Sequence, residues 1–219
     1  MIKVCIFDLD GTVMDTLSSI AYYVNFTMGK MHLPHIETEK FKYFAGDGRT
    51  VLLQKSLAYH HADTPENLKA AIQIYDAAYE QDVMYLTKPF DGIKEELQKL
   101  KSMGIGIAVL SNKPHNVTQW IVHKTFGDGF FGEVFGQREE VPKKPAADGL
   151  LSIAKSFDAA PSECVMVGDT DVDMLTGKNA GARRLGVLWG FRTREELEEN
   201  GAEIIIDDIN NLAQSITKF

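Results

Sequence analysis

Asp8-Leu9-Asp10-Gly11-Thr12 follows directly on the apolar run Val4-Cys5-Ile6-Phe7. The apolar run predicts a buried strand, because strands of parallel sheets are apolar on both faces. It stops at Asp8 and Asp10, whose side chains would share one face if the strand continued. Two carboxylates at that spacing repel each other, which implies a bound divalent cation or a shared proton. A simple Asp-Gly turn is the alternative interpretation of the same residues.

The overall composition is that of an ordinary soluble globular protein: 219 residues, 44% hydrophobic and 25% charged. The formal net charge is -8 and the sequence contains no basic block, so we expect no nucleic-acid partner. Cys5 and Cys164 lie in apolar runs and are expected to be buried free thiols. Because no segment has the pattern of a signal peptide or a membrane span, we expect a cytoplasmic protein with no membrane partner.

Residues 15–85 show helical patterns and no evident strand. Apolar residues recur at helical spacing from Leu17 to Met31. Thr64-Pro65 is typical of a helix start, and the helix that it opens is expected to run to about Tyr85. We therefore predict that residues 15–85 form an all-helical cap domain, inserted after the first strand.

Strands and helices alternate from Pro89 to the end of the sequence. Such alternation predicts an α/β fold, a Rossmann-like three-layer core with a parallel sheet. The core domain is predicted to comprise residues 1–14 and 86–219. Its strands after the first are expected over residues 105–110, 133–136, 164–167, 184–188 and 203–206.

Three further segments carry polar residues suited to a phosphate group. Ser111-Asn112 follows a predicted strand and precedes a helix, where backbone N–H groups favour an anion. Lys143-Lys144-Pro145 precedes another helix, and residues 168–173, Gly-Asp-Thr-Asp-Val-Asp, again join a strand to a helix. Each segment also has a structural explanation. Ser111 could be a helix cap, Lys144 a solvated surface lysine, and the aspartates first-turn helix acids.

In this order, Asp8 to Thr12, Ser111, Lys144 and Gly168-Asp169 with Asp173 resemble the four motifs of the haloacid dehalogenase superfamily. The resemblance covers the whole chain, including the helical insertion. Within the superfamily the chain is most similar to phosphoglycolate phosphatases, on residues 45–49, Ala-Gly-Asp-Gly-Arg, and residues 188–193, Leu-Trp-Gly-Phe-Arg-Thr. The resemblance implies Mg²⁺-dependent hydrolysis of a small phosphorylated metabolite, expected to be 2-phosphoglycolate, by a monomer or homodimer.

The resemblance also implies four catalytic residues. Asp8 would be the nucleophile, and would form an aspartyl phosphate. Asp10 would protonate the leaving alkoxide and then deprotonate the attacking water. Ser111 would hydrogen-bond a phosphate oxygen, while Lys144 would place its positive charge against the phosphate and Asp8.

Metal and substrate contacts follow from the same resemblance. Mg²⁺ would be bound by acidic residues of two motifs: Asp8, Asp10 through its backbone carbonyl, Asp169, and Asp173 through water. Thr12 and Asn112 are the expected substrate-binding residues near the phosphate. Arg49 would offer its guanidinium to a substrate carboxylate, although a surface arginine at a helix start is an equally good interpretation.

Other activities use related residues. A haloacid dehalogenase needs the first aspartate but no acid two residues later, so Asp10 argues against it. A β-phosphoglucomutase-like phosphotransferase uses both aspartates but usually carries a bulky aliphatic residue in place of Thr12. A pyrophosphatase or nucleotidase on the same scaffold stays open, because cap residues select the substrate. The non-enzymatic alternative is a phospho-accepting receiver domain, which the helical insertion and Asp10 disfavour.

Overall fold

A six-stranded parallel sheet forms the centre of the larger of two structural units. Its spatial order is β5-β4-β1-β6-β7-β8, while the two-residue strands β2 and β3 pair with each other. The strands in chain order are β1 (Val4–Phe7), β2 (Met14–Asp15), β3 (Lys88–Pro89), β4 (Gly106–Pro114), β5 (Glu133–Gln137), β6 (Cys164–Gly168), β7 (Arg183–Val187) and β8 (Ile204–Ile206). The predicted parallel α/β core is therefore confirmed.

The computed structural model describes residues 1–219. One unit comprises Met1–Asp15 and Pro89–Phe219, and the other comprises Thr16–Lys88. The cap domain was predicted to comprise residues 15–85. The helices are α1 (Leu17–Lys30), α2 (Phe41–Phe44), α3 (Arg49–Tyr59), α4 (Pro65–Tyr79), α5 (Ile93–Ser102), α6 (His115–Phe126), α7 (Asp148–Ser156), α8 (Asp171–Ala180), α9 (Arg194–Glu199) and α10 (Leu212–Ile216). None of them has both the length and the apolar character needed to cross a membrane.

The register of the sheet determines which residues meet at its carboxyl edge. Phe7, the last residue of β1, lies opposite Val109 of β4 and Val167 of β6. The next residue, Asp8, donates its backbone N–H to the Val167 carbonyl at 2.9 Å. Leu110 and Gly168 come next after Val109 and Val167, and the polar residues Ser111 and Asp169 follow them. These two residues therefore lie at the same edge as Asp8, at the end of the sheet where ligands of α/β folds bind.

Helix α7 provides one apolar covering of the sheet. Its residues Leu150 and Ile153 are buried in one cluster with Ile6 of β1 and Met166 of β6. Cys164 belongs to the same cluster and, like Cys5, is a buried free thiol, as expected. Burial raises the pKa of Cys164 to about 11, so this thiol stays protonated and acts as an apolar core group.

Four helices with intervening turns form the smaller unit. Thr64 caps α4 by accepting the Asn67 backbone N–H at 3.2 Å, as the Thr64-Pro65 pair predicted. The helix ends at Tyr79 rather than near Tyr85. After it, the Asp82 side chain accepts the Met84 backbone N–H at 3.1 Å, a local turn that competes with helical hydrogen bonding.

Candidate active site

Three buried carboxylates meet at the carboxyl edge of the sheet. Asp8 follows β1, Asp169 follows β6, and Asp173 lies in the first turn of α8. One carboxylate oxygen from each lies within 4.8 Å of the other two, and all three residues are buried. Oxygen ligands of this charge and spacing match the preference of hard divalent cations such as Mg²⁺. We call these three residues the carboxylate cluster.

Lys144 contacts two members of the carboxylate cluster. Its Nζ lies 2.8 Å from Asp8 Oδ1 and 2.7 Å from Asp173 Oδ1, with only 3% of the side chain exposed. Burial opposes the charged form of Lys144, but Asp173 and Asp8 outweigh that effect and raise the pKa of the amine above its ordinary value. The structure therefore places Lys144 as a buried cation, not as a solvated surface lysine.

The remaining negative charge of the carboxylate cluster is uncompensated. Burial raises the pKa of Asp8 to about 7, against the lowering effect of Lys144. Burial, followed by the charges of Asp173 and Asp8, raises the pKa of Asp169 well above its ordinary value. The ionised cluster is thus unfavourable by itself, and a bound divalent cation would relieve the repulsion. On this ground the residues fit a metal site.

Asn112 positions Lys144 from the neighbouring strand β4. The Asn112 side-chain amide donates to the Lys144 carbonyl at 3.0 Å, and its Oδ1 accepts the Lys144 backbone N–H at 2.9 Å. This pair of bonds fixes the backbone that carries the ammonium group. The structure thus gives Asn112, predicted to bind substrate, a contact that holds Lys144.

Ser111 is buried in β4, and its Oγ accepts the Lys113 backbone N–H at 3.2 Å. The helix-cap interpretation of Ser111 is wrong, because α6 begins at His115 and its N-cap residue is Pro114. The strand was expected to end at Leu110, but it continues through Pro114, whose pairing partner is Gln137 of β5. Ser111 is therefore held by sheet structure at the carboxyl edge.

Asp169 is fixed by residues from two separate loops. Thr12 Oγ1 donates to Asp169 Oδ1 at 2.7 Å, and the Phe191 backbone N–H donates to Asp169 Oδ2 at 2.8 Å. Gly190 allows this close approach, since a Cβ built there would lie 2.2 Å from Asp169 Oδ2. The Trp189 indole N–H also donates to the Thr12 carbonyl at 3.0 Å, which ties the two loops together.

These contacts give Thr12, predicted to bind substrate, a role in holding Asp169. The role of the Phe191 backbone in positioning Asp169 could not be predicted from the motifs. The only signal for it was Gly190, within the stretch that carried the resemblance to phosphoglycolate phosphatases.

Both oxygens of Asp173 are hydrogen-bonded. Oδ1 accepts from Lys144, while Oδ2 accepts from the Thr170 backbone N–H at 3.1 Å and from the Thr170 hydroxyl at 2.7 Å. Thr170 is the N-cap residue of α8, and its contacts with Asp173 form a capping box. Asp173 therefore has two roles. It caps the first turn of α8, as expected for an acid at this position, and it also contacts Lys144.

The Asp10 carboxylate has a different partner, Lys113. Lys113 Nζ donates to Asp10 Oδ1 at 2.9 Å and to Oδ2 at 3.0 Å. The condition for Asp8 and Asp10 to share a strand face is not met, since β1 ends at Phe7 and the chain turns at Gly11 with φ +86°. Lys113 lies directly beside Ser111-Asn112 but belongs to none of the four predicted motifs.

Arg49 begins α3 in the smaller unit. Its guanidinium forms an ion pair with Asp76 of α4, and its Nε is buried without a hydrogen-bond partner. The structure thus places Arg49 as a link between two helices of that unit. A contact with substrate would require the guanidinium to exchange or share this carboxylate.

Comparison with known proteins agrees with this arrangement. The family model described as haloacid dehalogenase-like hydrolase matches residues 2–181. A phosphoglycolate phosphatase of Colwellia psychrerythraea is 29% identical, over 99% of this chain and 97% of the relative. Another, of Vibrio parahaemolyticus, is 27% identical over 98% of this chain and 96% of its own length.

Solved structures show the same likeness. A crystal structure from Lactobacillus delbrueckii subsp. bulgaricus superposes with a TM-score of 0.93 at 28% identity, and covers 98% of each chain. The crystal structure of a predicted phosphoglycolate phosphatase from Haemophilus somnus gives a TM-score of 0.90 at 25% identity, over 99% of this chain and 98% of the other.

Proposed function

Because the chain belongs to the haloacid dehalogenase-like hydrolase family, we propose that it is a Mg²⁺-dependent phosphatase that hydrolyses a small phosphomonoester, 2-phosphoglycolate, through an aspartyl phosphate. The observation that carries this proposal is the carboxylate cluster, with the Lys144 ammonium group 2.8 Å from Asp8 and 2.7 Å from Asp173. The choice of substrate rests on the relatives from Colwellia and Vibrio that are named phosphoglycolate phosphatase.

The carboxylate cluster would hold the Mg²⁺ ion, together with the backbone carbonyl of Asp10. All of these ligands are oxygens, which suit a hard divalent cation. Burial is the main cause of the raised pKa of Asp8 and of Asp169, so their ionised forms are unfavourable in the absence of a cation. When bound, Mg²⁺ would offset this negative charge and polarise a phosphate oxygen. Thr12 and Phe191 would keep Asp169 in position as a ligand, through the bonds that they donate to it.

Asp8 and Asp10 would divide the chemistry between them. An Asp8 oxygen attacks phosphorus, the bond from phosphorus to the ester oxygen breaks, and that oxygen takes a proton from the Asp10 carboxylic acid. The alcohol leaves and Asp8 carries the phosphoryl group. Water then attacks phosphorus and gives a proton to Asp10, the bond to Asp8 breaks, and inorganic phosphate is released with both aspartates restored.

Lys144 and Ser111 would bind the phosphate that Asp8 attacks. Lys144 already contacts Asp8, so a phosphate brought to Asp8 would lie within reach of the ammonium. The Ser111 hydroxyl, buried within the neighbouring strand β4, would donate to a phosphate oxygen. Asn112 would act by holding Lys144, and Arg49 would bind the substrate carboxylate.

The test is phosphate release from a panel of substrates: 2-phosphoglycolate, sugar phosphates, nucleotides and pyrophosphate. We expect 2-phosphoglycolate to be hydrolysed with the highest kcat/KM, the activity to disappear with EDTA, and Mg²⁺ to restore it. Asp8→Asn should abolish turnover and leave the circular dichroism spectrum unchanged.

Other results would redirect or refute the proposal. Faster phosphate release from pyrophosphate or a nucleotide would identify that compound as the preferred substrate. Conversion of one sugar phosphate into another would indicate a phosphotransferase. A stable phosphoprotein without turnover would indicate a receiver domain. Ample activity in Asp8→Asn would refute the nucleophile.

A further inference from the structure

We infer that Lys113 is a positioning residue that keeps the Asp10 carboxylate out of the carboxylate cluster and holds it for proton transfer. The inference rests on the proposed function for the role of Asp10. It is carried by the two contacts from Lys113 Nζ, at 2.9 Å to Oδ1 and 3.0 Å to Oδ2 of Asp10. Contact with both oxygens restricts rotation of the carboxylate more than contact with one oxygen would.

Two lysines contact different acidic residues of the site. Lys144 contacts Asp8 and Asp173, whereas Lys113 contacts Asp10. Asp10 lies only two residues from Asp8, yet it is not one of the three residues whose oxygens lie within 4.8 Å of one another. A mobile carboxylate so near a divalent cation would be drawn into its coordination shell. The Lys113 contact opposes that movement.

The Lys113–Asp10 pair is largely buried, and burial strengthens the attraction between the two charges. The Lys113 side chain is 9% exposed and that of Asp10 is 19% exposed, so water screens the pair less than a surface ion pair. Lys113 is also anchored at its backbone, since its N–H donates to Ser111 Oγ at 3.2 Å. The position of Asp10 is therefore tied to that of Ser111, the expected phosphate ligand.

The leaving group provides the first test of this role. In Lys113→Met, the first-turnover rate of glycolate release from 2-phosphoglycolate should fall by about 10²- to 10³-fold, because an alkoxide needs the proton of a correctly placed Asp10. The first-turnover burst from 2,4-dinitrophenyl phosphate should change by less than about threefold, because that leaving group needs no proton. A merely structural role would slow both substrates equally.

Matched variants separate positioning from folding. Lys113→Arg should retain most of the rate, and Lys124→Met, an exposed lysine on α6, should match the wild type. Adding Lys113→Met to Asp10→Asn should have little further effect, because Lys113 acts through Asp10. Independent, additive losses in this double variant would overturn the inference.

Metal binding provides a readout that does not depend on activity. In Lys113→Met, the released Asp10 carboxylate should enter the metal site and tighten Mg²⁺ binding by about tenfold in calorimetry, because added ligand charge raises affinity. In the Asp10→Asn background the same substitution should give much less gain. Unchanged Mg²⁺ affinity, or an equal gain in both backgrounds, would overturn the inference even if no substrate were turned over. Absence of phosphatase activity in the wild type alone would instead refute the proposed function.

Discussion

Replacing Lys144 with methionine removes the ammonium group that contacts both Asp8 and Asp173 in the carboxylate cluster. The contacts are 2.8 and 2.7 Å long, and the lysine side chain is 3% exposed, so water cannot readily take its place. Removal of one partner from a buried ion pair costs about 3–5 kcal/mol, because it leaves a buried charge uncompensated. Methionine fills a similar volume, which keeps the cavity contribution small. We therefore expect the metal-free Lys144→Met protein to lose about 3–5 kcal/mol of unfolding free energy.

Urea unfolding in EDTA, followed by circular dichroism, measures this loss. It should be run at about pH 8, above the pKa of about 7 that Asp8 has with Lys144 present, so that the Asp8 carboxylate of the parent protein is ionised. Lys155→Met, at an exposed position on α7, is the control and should change the unfolding free energy by less than about 0.5 kcal/mol. The double variant Lys144→Met with Asp173→Asn should recover part of the loss. A loss below about 1 kcal/mol for Lys144→Met would refute the reasoning that the cluster depends on this cation.

Gly190→Ala should abolish Mg²⁺-dependent activity, since its Cβ would lie 2.2 Å from Asp169 Oδ2. Gly29→Ala, in α1 where a Cβ meets open space, should instead raise the unfolding free energy by about 0.5–1 kcal/mol in urea. Arg49→Ala should raise KM for 2-phosphoglycolate but not for p-nitrophenyl phosphate, which has no carboxylate, and equal changes for both would contradict a substrate contact. Because Asp8 has a raised pKa when folded, the native state holds a proton that the unfolded chain releases. The unfolding free energy of the metal-free protein should therefore fall as pH rises from 3.8 to about 7, more steeply than in Asp8→Asn.

The fold could be predicted because its signals are local. The central strands β1 and β6 are short, fully buried apolar runs, each followed by an aspartate. That pattern can be recognised in the sequence without knowledge of distant contacts. The α/β fold, the superfamily membership and the hydrolase class are confirmed. The superfamily and the hydrolase class could be predicted from the order of the four motifs. These motifs lie at strand ends, which is where ligands bind in a parallel sheet.

Details that depend on distant partners could not be predicted. β4 continues past Leu110 through Ser111, Asn112 and Lys113 to Pro114, which pairs with Gln137 of β5. The register of this pairing is irregular, and the segment's own sequence does not indicate it. The Lys113–Asp10 contact joins residues 103 positions apart. The two bonds between Asn112 and Lys144 likewise depend on the register of β4 and on a loop 32 residues away.

In the proposed mechanism, the charges of the site link the stability of the fold to metal binding and to the nucleophilicity of Asp8. Three carboxylates and one ammonium leave an excess of two negative charges when all are ionised, which is the charge that one divalent cation brings. Without that cation, burial favours the protonated form of Asp8, and a protonated carboxyl group is a poor nucleophile. The pairing of Asp10 with Lys113 adds no net charge to the balance. The same cation should therefore both stabilise the fold and keep Asp8 ionised for attack, so variants that weaken metal binding should lose stability and activity together.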